Sequence, residues 1–264
     1  MRDRDIAQLK PEWREQWELF EDDERFLFEE WIEPLSLADL KGADILEAGC
    51  GGGQHTAMMA PLARSIVAVD LNTAELAEGR YKDLKNVTFR QADIASMELG
   101  REFDIVICVG VIHHTDDPDR TFANLLKHVR SGGRLVIWTY SSEGNGLVRH
   151  LVEPARKLVF RRLSRGTLVH VSQAITAAMY LPVHTMYRVP VLSFLPYYDY
   201  FGNFRRMPFR RNVLNVFDKL NAPQTRFTTR RKCDEWFSAD HFRPESISIR
   251  PYKGVSYSLS GVKR

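Results

Sequence analysis

Cysteine is scarce in this chain. Cys50, Cys108 and Cys233 are the only three in 264 residues, far apart and in no metal-ligand spacing. That excludes a disulfide framework, makes a zinc site an unpromising reading and fits a reducing compartment. The first residues, MRDRDIAQLKPEWREQW, contain no apolar core of signal-peptide kind, so the expected location is the cytoplasm. Charge is missing from one stretch, Gly166 to Tyr187, which has no Asp, Glu, Lys or Arg. Its length would suffice for a bilayer. However, His170, Ser172, Gln173, Thr176, Pro182, His184 and Thr185 make it too polar for a span. Internal repeats and low-complexity linkers are also absent. With 44% hydrophobic and 27% charged residues, the composition is that of a folded globular chain.

The net charge of +3 conceals an asymmetry. Residues 1–148 carry 16 Lys and Arg against 27 Asp and Glu, and residues 149–264 carry 21 against 7. Either the two halves neutralise each other within one fold, which is the simpler reading, or the basic half faces an anionic partner.

Hydrophobic periodicity divides the chain into three parts. Residues 1–41 read as a helical cap, with Trp13, Trp17 and Phe20 at helical spacing and Leu27 and Trp31 repeating it. From residue 42, strands and helices alternate. Expected strands are Ala43 to Ala48, Ser65 to Val69, Val87 to Arg90, the apolar Phe103 to Val109, and Arg134 to Tyr140 after a Gly132-Gly133 turn. The predicted class is α/β: a Rossmann-like, doubly wound, mostly parallel sheet. Residues 144–211 interrupt the rhythm with a basic amphipathic helix, kinked at Pro154, and an aromatic-rich stretch; residues 212–264 return to the core. There Thr228 or Thr229 caps a short helix, and an antiparallel hairpin forms around Lys253-Gly254.

The strongest local signal is Glu47-Ala48-Gly49-Cys50-Gly51-Gly52-Gly53 at the end of the first strand, with Asp70 ending the second. The glycines allow close backbone approach to a ligand, and a following helix would offer free N–H groups to an anionic moiety. Asp70 stands where a carboxylate can accept both ribose hydroxyls. Glu47 would repel a pyrophosphate and attract an ammonium, which disfavours a nicotinamide dinucleotide. A further carboxylate, Asp93, ends the third strand.

This order resembles the class I S-adenosylmethionine-dependent methyltransferases, strongly over residues 42–141 and in pattern at the final hairpin. The stretch Val109-Gly110-Val111-Ile112-His113-His114-Thr115-Asp116-Asp117-Pro118 is similar to the segment after strand four in the subgroup that modifies small molecules. The family usually has Pro where Ser131 stands. The resemblance implies S-adenosyl-L-methionine as cofactor and S-adenosyl-L-homocysteine as product. It places Glu47, Gly49, Gly51, Gly53, Asp70, Asp93 and the Val109 backbone along the cofactor, Leu71 and Ile94 beside the adenine, and Gln54 near the methionine carboxylate. The Asn/Asp-Pro-Pro-aromatic sequence of amino-group methyltransferases acting on adenine or glutamine is missing. Asp116 and Asp117 read as turn and cap residues rather than metal ligands, so no metal is expected.

His113 is the candidate general base, since an imidazole can deprotonate an acceptor hydroxyl or amine. The alternative is a structural or cofactor-facing role, because methyl transfer from a sulfonium needs mainly alignment. The insert would build the pocket of a small-molecule acceptor. Its aromatics suit a planar or lipidic compound, or else a satellite core. Its basic helix would suit a membrane surface, or pack its apolar stripe on the sheet. Nucleic acid is not expected as a partner. Two rival functions stay open: a non-catalytic S-adenosylmethionine-binding regulator and an NAD(P)-dependent oxidoreductase. Acceptor atom and oligomeric state are not legible in these residues.

Overall fold

The computed structural model describes residues 10–264, which separate into two compact units. The first comprises residues up to Tyr140, Gln224–Arg250 and Tyr257–Arg264; the second comprises Ser141–Pro223 and Pro251–Ser256. Part of the expected N-terminal cap, residues 1–9, lies outside the described residues.

The first unit opens with helices α1 (Pro11–Leu19) and α2 (Arg25–Ile32). Pro11 occupies the first turn of α1, where its missing N–H costs nothing. Leu27, Phe28 and Ile32 form the buried face of α2, which packs on strands β4 (Phe103–Val109) and β5 (Val129–Tyr140). The alternating region begins with β1 (Asp44–Ala48), α3 (Gln54–Met59), β2 (Ser65–Asp70), α4 (Ala74–Arg80) and β3 (Val87–Gln91). β4, α5 (Pro118–Lys127) and β5 follow. Asp117 caps α5 by accepting a hydrogen bond from the Arg120 N–H, as expected of a residue placed before an N1 proline.

β5 is longer than expected. Gly132 and Gly133 do not form a turn outside the strand: Gly132 sits at φ +72° within it, and the pairing with β4 shifts between Phe103 and Ile105. Glycine absorbs the irregularity because a Cβ at residue 133 would crowd the Asp104 carbonyl.

The second unit holds α6 (Glu153–Leu158), α7 (Arg165–His184), α8 (Tyr198–Phe204) and α9 (Phe209–Asn221). The basic helix kinked at Pro154 that the sequence predicts takes the form of a helical run in which a π segment (Val148–Val152) leads directly into α6, followed by a 3₁₀ turn (Phe160–Arg162). Pro154 has no N–H for the His150 carbonyl, and the chain widens one turn earlier. The unit also extends past residue 211, because α9 packs on α7. The insert's aromatics pack against one another, with ring centroids 4.8 Å apart for Tyr187–Phe201 and 5.3 Å for both Tyr200–Phe204 and Phe201–Phe204.

Back in the first unit, Thr229 caps α10 (Arg230–Trp236) by accepting from the Lys232 N–H. Strands β6 (Ser248–Tyr252) and β7 (Ser256–Val262) form the antiparallel hairpin. Lys253 (φ 49°) and Gly254 (φ 70°) both take the left-handed conformation that such a tight connection requires. The sheet has seven strands in the order β3-β2-β1-β4-β5-β7-β6, with parallel pairing from β3 through β5. The order reverses between β1 and β4, which opens a crevice at the carboxyl ends of these strands. One face of the sheet buries Leu46, Val67, Val106 and Leu135 with Phe122, Phe237 and Phe242. Consecutive residues of β1, β2 and β4 are buried, so these strands are covered on both faces, as their apolar runs require.

Candidate active site at the carboxyl ends of the strands

The chain leaves β1 through a loop in which Gly49, Gly51 and Gly53 have φ of +88°, +53° and +86°. Each is held there by a neighbour. A Cβ at Gly49 would come within 2.4 Å of Val111 Cγ2, one at Gly51 within 2.8 Å of Trp17 Cε2, and one at Gly53 within 2.8 Å of Tyr81 Cδ2. Asp70 ties the loop to β2. Its Oδ2 accepts the Gly51 N–H (3.1 Å), and its Oδ1 accepts the N–H groups of Asn72 (2.8 Å) and Thr73 (3.0 Å). The Thr73 hydroxyl completes the closure by donating to the Gly51 carbonyl at 2.7 Å. Burial raises the Asp70 pKa, against the lowering effect of these donors.

Glu47 is buried on β1, and its carboxyl accepts a hydrogen bond from the Thr56 hydroxyl. Burial pushes its pKa up to about 8; the Thr56 bond opposes this and the Asp70 charge adds to it. Gln54 opens α3 and is buried. This helix is only six residues long, so the loop N–H groups rather than a long dipole define the local field. Among the described residues Gln54 Nε2 and Arg80 Nη1 are buried without hydrogen-bond partners, and a Cβ at Gly52 would fall 2.7 and 2.8 Å from them. Two donors thus converge beside one glycine, a fit for a carboxylate. Arg80 escaped the sequence reading because a lone arginine ending a helix carries no signal; its Nη2 also donates to the Trp17 carbonyl (2.6 Å).

Asp93 follows β3 and accepts from the Ala95 N–H and the Ser96 hydroxyl, both at 2.9 Å, which fixes the turn. Ile94 is buried beside it, and Leu71, half-buried, follows Asp70; its carbonyl accepts from Gln91 Nε2. Val109 ends β4, and the next residue, Gly110, donates to the Trp138 carbonyl at 3.1 Å. All these residues lie at the carboxyl ends of β1 to β4.

His113 follows β4 in a short 3₁₀ turn and is buried against β5. Its Nδ1 is 3.3 Å from Thr139 Oγ1 and 3.4 Å from the Tyr140 backbone nitrogen. A backbone N–H can only donate, so Nδ1 acts as acceptor and the proton of the neutral ring sits on Nε2. The rings of Tyr140 and His114 lie tilted against it, each with its centroid 4.2 Å away. The N-terminal helices add Trp31, 4.9 Å from Trp138, and Trp13, 4.6 Å from His114. The wall around His113 is therefore aromatic. Asp116, beyond it, pairs with Lys10 at 2.9 Å and accepts from Gln224.

Known proteins share these features. Residues 46–137 match the family described as a methyltransferase domain. The ubiquinone biosynthesis O-methyltransferase of Pseudomonas fluorescens is 28% identical over 142 residues, covering 52% of this chain and 60% of that enzyme. An uncharacterized protein of Synechococcus is 36% identical over 117 residues, 41% of this chain and 28% of that protein. The chain thus spans less than two thirds of the length of these relatives. The magnesium protoporphyrin IX methyltransferase of Synechocystis, solved with bound S-adenosylhomocysteine, has the same fold: TM-score 0.52 at 13% identity, covering 96% of this chain and 93% of that one. Glycine loop, the aspartate ending β2 and the strand order agree with the matched segment, so residues 46–137 form a methyltransferase domain of the class I S-adenosylmethionine-dependent type.

Proposed function

We propose that this protein transfers the methyl group of S-adenosyl-L-methionine to a small-molecule acceptor, without a metal, and releases S-adenosyl-L-homocysteine. The observation that carries this is Asp70, pinned at the end of β2 by three backbone N–H groups beside a glycine loop that begins two residues after a buried carboxyl. When bound, the cofactor supplies a methyl group already activated on sulfonium. Asp70 holds the ribose hydroxyls, Leu71 and Ile94 flank the adenine, and Asp93 and the Val109 backbone bound its edge. Glu47 receives the α-ammonium and, through it, stays ionised. Gln54 and Arg80 take the carboxylate, while Gly49, Gly51 and Gly53 keep the backbone close.

The acceptor meets the aromatic wall of Trp31, Trp138 and Tyr140, whose flat faces favour a planar compound. Relatives named for ubiquinone biosynthesis support a hydroxyl acceptor. His113 is the polar group in that wall. To serve as base it must take a proton at Nδ1 in place of the Tyr140 contact; otherwise its Nε2–H orients the acceptor. Because alignment dominates this chemistry, His113→Ala should lower turnover by roughly 10²-fold if it acts as base and much less if it only orients.

Calorimetry should give micromolar S-adenosylhomocysteine binding, about −8 kcal/mol. Turnover is measured by release of that product with phenolic and other small acceptors. Heat with NADH but none with S-adenosylhomocysteine would overturn the reading; binding without turnover across acceptors would favour a regulatory, non-catalytic role.

A further inference from the structure

The second unit carries an outer surface unlike that of a protein in contact with water alone. Among the described residues, every exposed large hydrophobic except Leu19 lies in it. Val191 and Phe194 are each 77% exposed and Leu181 72%, on or just after α7, in a run of short turns that also contains Arg188. Leu151 and Leu158, at 64% and 65%, stand exposed in the segment that carries Lys157, Arg161 and Arg162. Part of the apolar stripe of this segment is therefore exposed.

α7 joins the two stretches, and it buries hydroxyls beside Leu168 and Val183 while leaving small apolar residues exposed. Its buried face includes Ser172 and Thr176, whose hydroxyls bond back to the Leu168 and Ser172 carbonyls of the same helix. Its exposed positions include Ala174, Ala177, Ala178 and Leu181 together with the uncharged His170 and Gln173, and from Gly166 to Tyr187 there is no Asp, Glu, Lys or Arg. A helix face turned to water normally carries charge.

The charge around this surface is one-sided. Residues 141–223 contain twelve Lys and Arg against four Asp and Glu, and one of the four, Glu153, is buried against Arg156. A second copy of the same surface would bring like charges together. A bilayer with anionic headgroups supplies both an apolar interior and a complementary charge. Among the described residues no helix is long and apolar enough to cross a membrane, so the contact is a resting one. We infer that the second unit docks on anionic membranes, with Leu181, Val191 and Phe194 entering the interface and Lys157, Arg161 and Arg162 engaging headgroups. This inference stands independently of the methyl-transfer reading, since vesicle binding needs no cofactor.

The experiment is co-sedimentation of the full chain with phosphatidylcholine vesicles, with and without phosphatidylglycerol. Binding is expected only with phosphatidylglycerol and should weaken as salt rises. The variant V191S/F194S should bind on the order of tenfold more weakly. The variant K157E/R161E/R162E should lose on the order of a hundredfold, since each basic residue at the surface contributes roughly fivefold. Both variants change exposed side chains, and circular dichroism melts should match the parent. Absence of binding to anionic vesicles overturns the inference. So does undiminished binding by the folded charge-reversed variant. A dimer in sedimentation equilibrium that V191S/F194S dissolves, with no vesicle binding by the parent, overturns it in favour of self-association.

Discussion

The indole of Trp17 lies over the α-carbon of Gly51, so that a Cβ at Gly51 would stand 2.8 Å from Trp17 Cε2. The first helix thereby fixes the conformation of the glycine loop. Gly51→Ala meets both this clash and the +53° φ, and should destabilise the fold by about 1–3 kcal/mol. Binding of S-adenosylhomocysteine should weaken with it. Adding Trp17→Ala should restore part of the stability, since only the backbone strain then remains. Urea unfolding of the three variants checks this, and a Gly51→Ala protein as stable as the parent would contradict it.

Asp70→Ala should weaken S-adenosylhomocysteine binding by about 1.5–3 kcal/mol, because the ribose loses a charged acceptor. It also strands the N–H groups of Gly51, Asn72 and Thr73, so the melting temperature should fall. Asp70→Asn keeps one acceptor oxygen and should lose less of both. Calorimetry and thermal melts together separate the two losses; unchanged affinity in a folded Asp70→Ala protein would remove Asp70 from the ribose site.

Glu47 gives a pH signature. Its folded-state pKa is raised from 4.5 to about 8. Below about pH 4.5 the carboxyl is protonated whether the chain is folded or not, and its contribution to stability is full. As pH rises toward 8 the unfolded chain releases this proton while the folded one keeps it, so stability declines across that window. Glu47→Gln removes the titration, and its melting temperature should gain on the parent as pH rises from about 5 to about 8, within the window between the two pKa values. Binding runs the other way. An ionised Glu47 attracts the α-ammonium, so affinity for S-adenosylhomocysteine should rise with pH toward 8 in the parent and stay flat in Glu47→Gln.

Arg80 and Gln54 face the proposed carboxylate. Arg80→Ala should weaken S-adenosylhomocysteine binding roughly tenfold, as expected for a charged hydrogen bond. It should leave 5′-methylthioadenosine, which lacks the amino-acid end, bound as before. Equal losses for both ligands would mean that Arg80 acts by holding α1 through the Trp17 carbonyl instead.

The parallel core was legible in the residues because buried strands must be apolar throughout and their connections need turn chemistry. Ser65–Asp70 and Phe103–Val109 carry that pattern in ten or fewer contiguous positions each. The placing of Glu47, the three glycines and Asp70 at strand ends and in a turn was legible for the same reason, since strand ends and turns are local features. Gly132 and Gly133 misled because the same dipeptide serves a turn or an irregular strand, and only the pairing with β4 decides between them. Trp17 on Gly51, Arg80 beside Gln54 and Tyr140 against His113 join residues brought together by packing alone. The direction of Leu151 and Leu158 was likewise decided by tertiary structure. Periodicity shows that a segment has an apolar stripe, but which of its residues are covered depends on contacts made by elements distant in sequence, and Leu151 and Leu158 are left exposed.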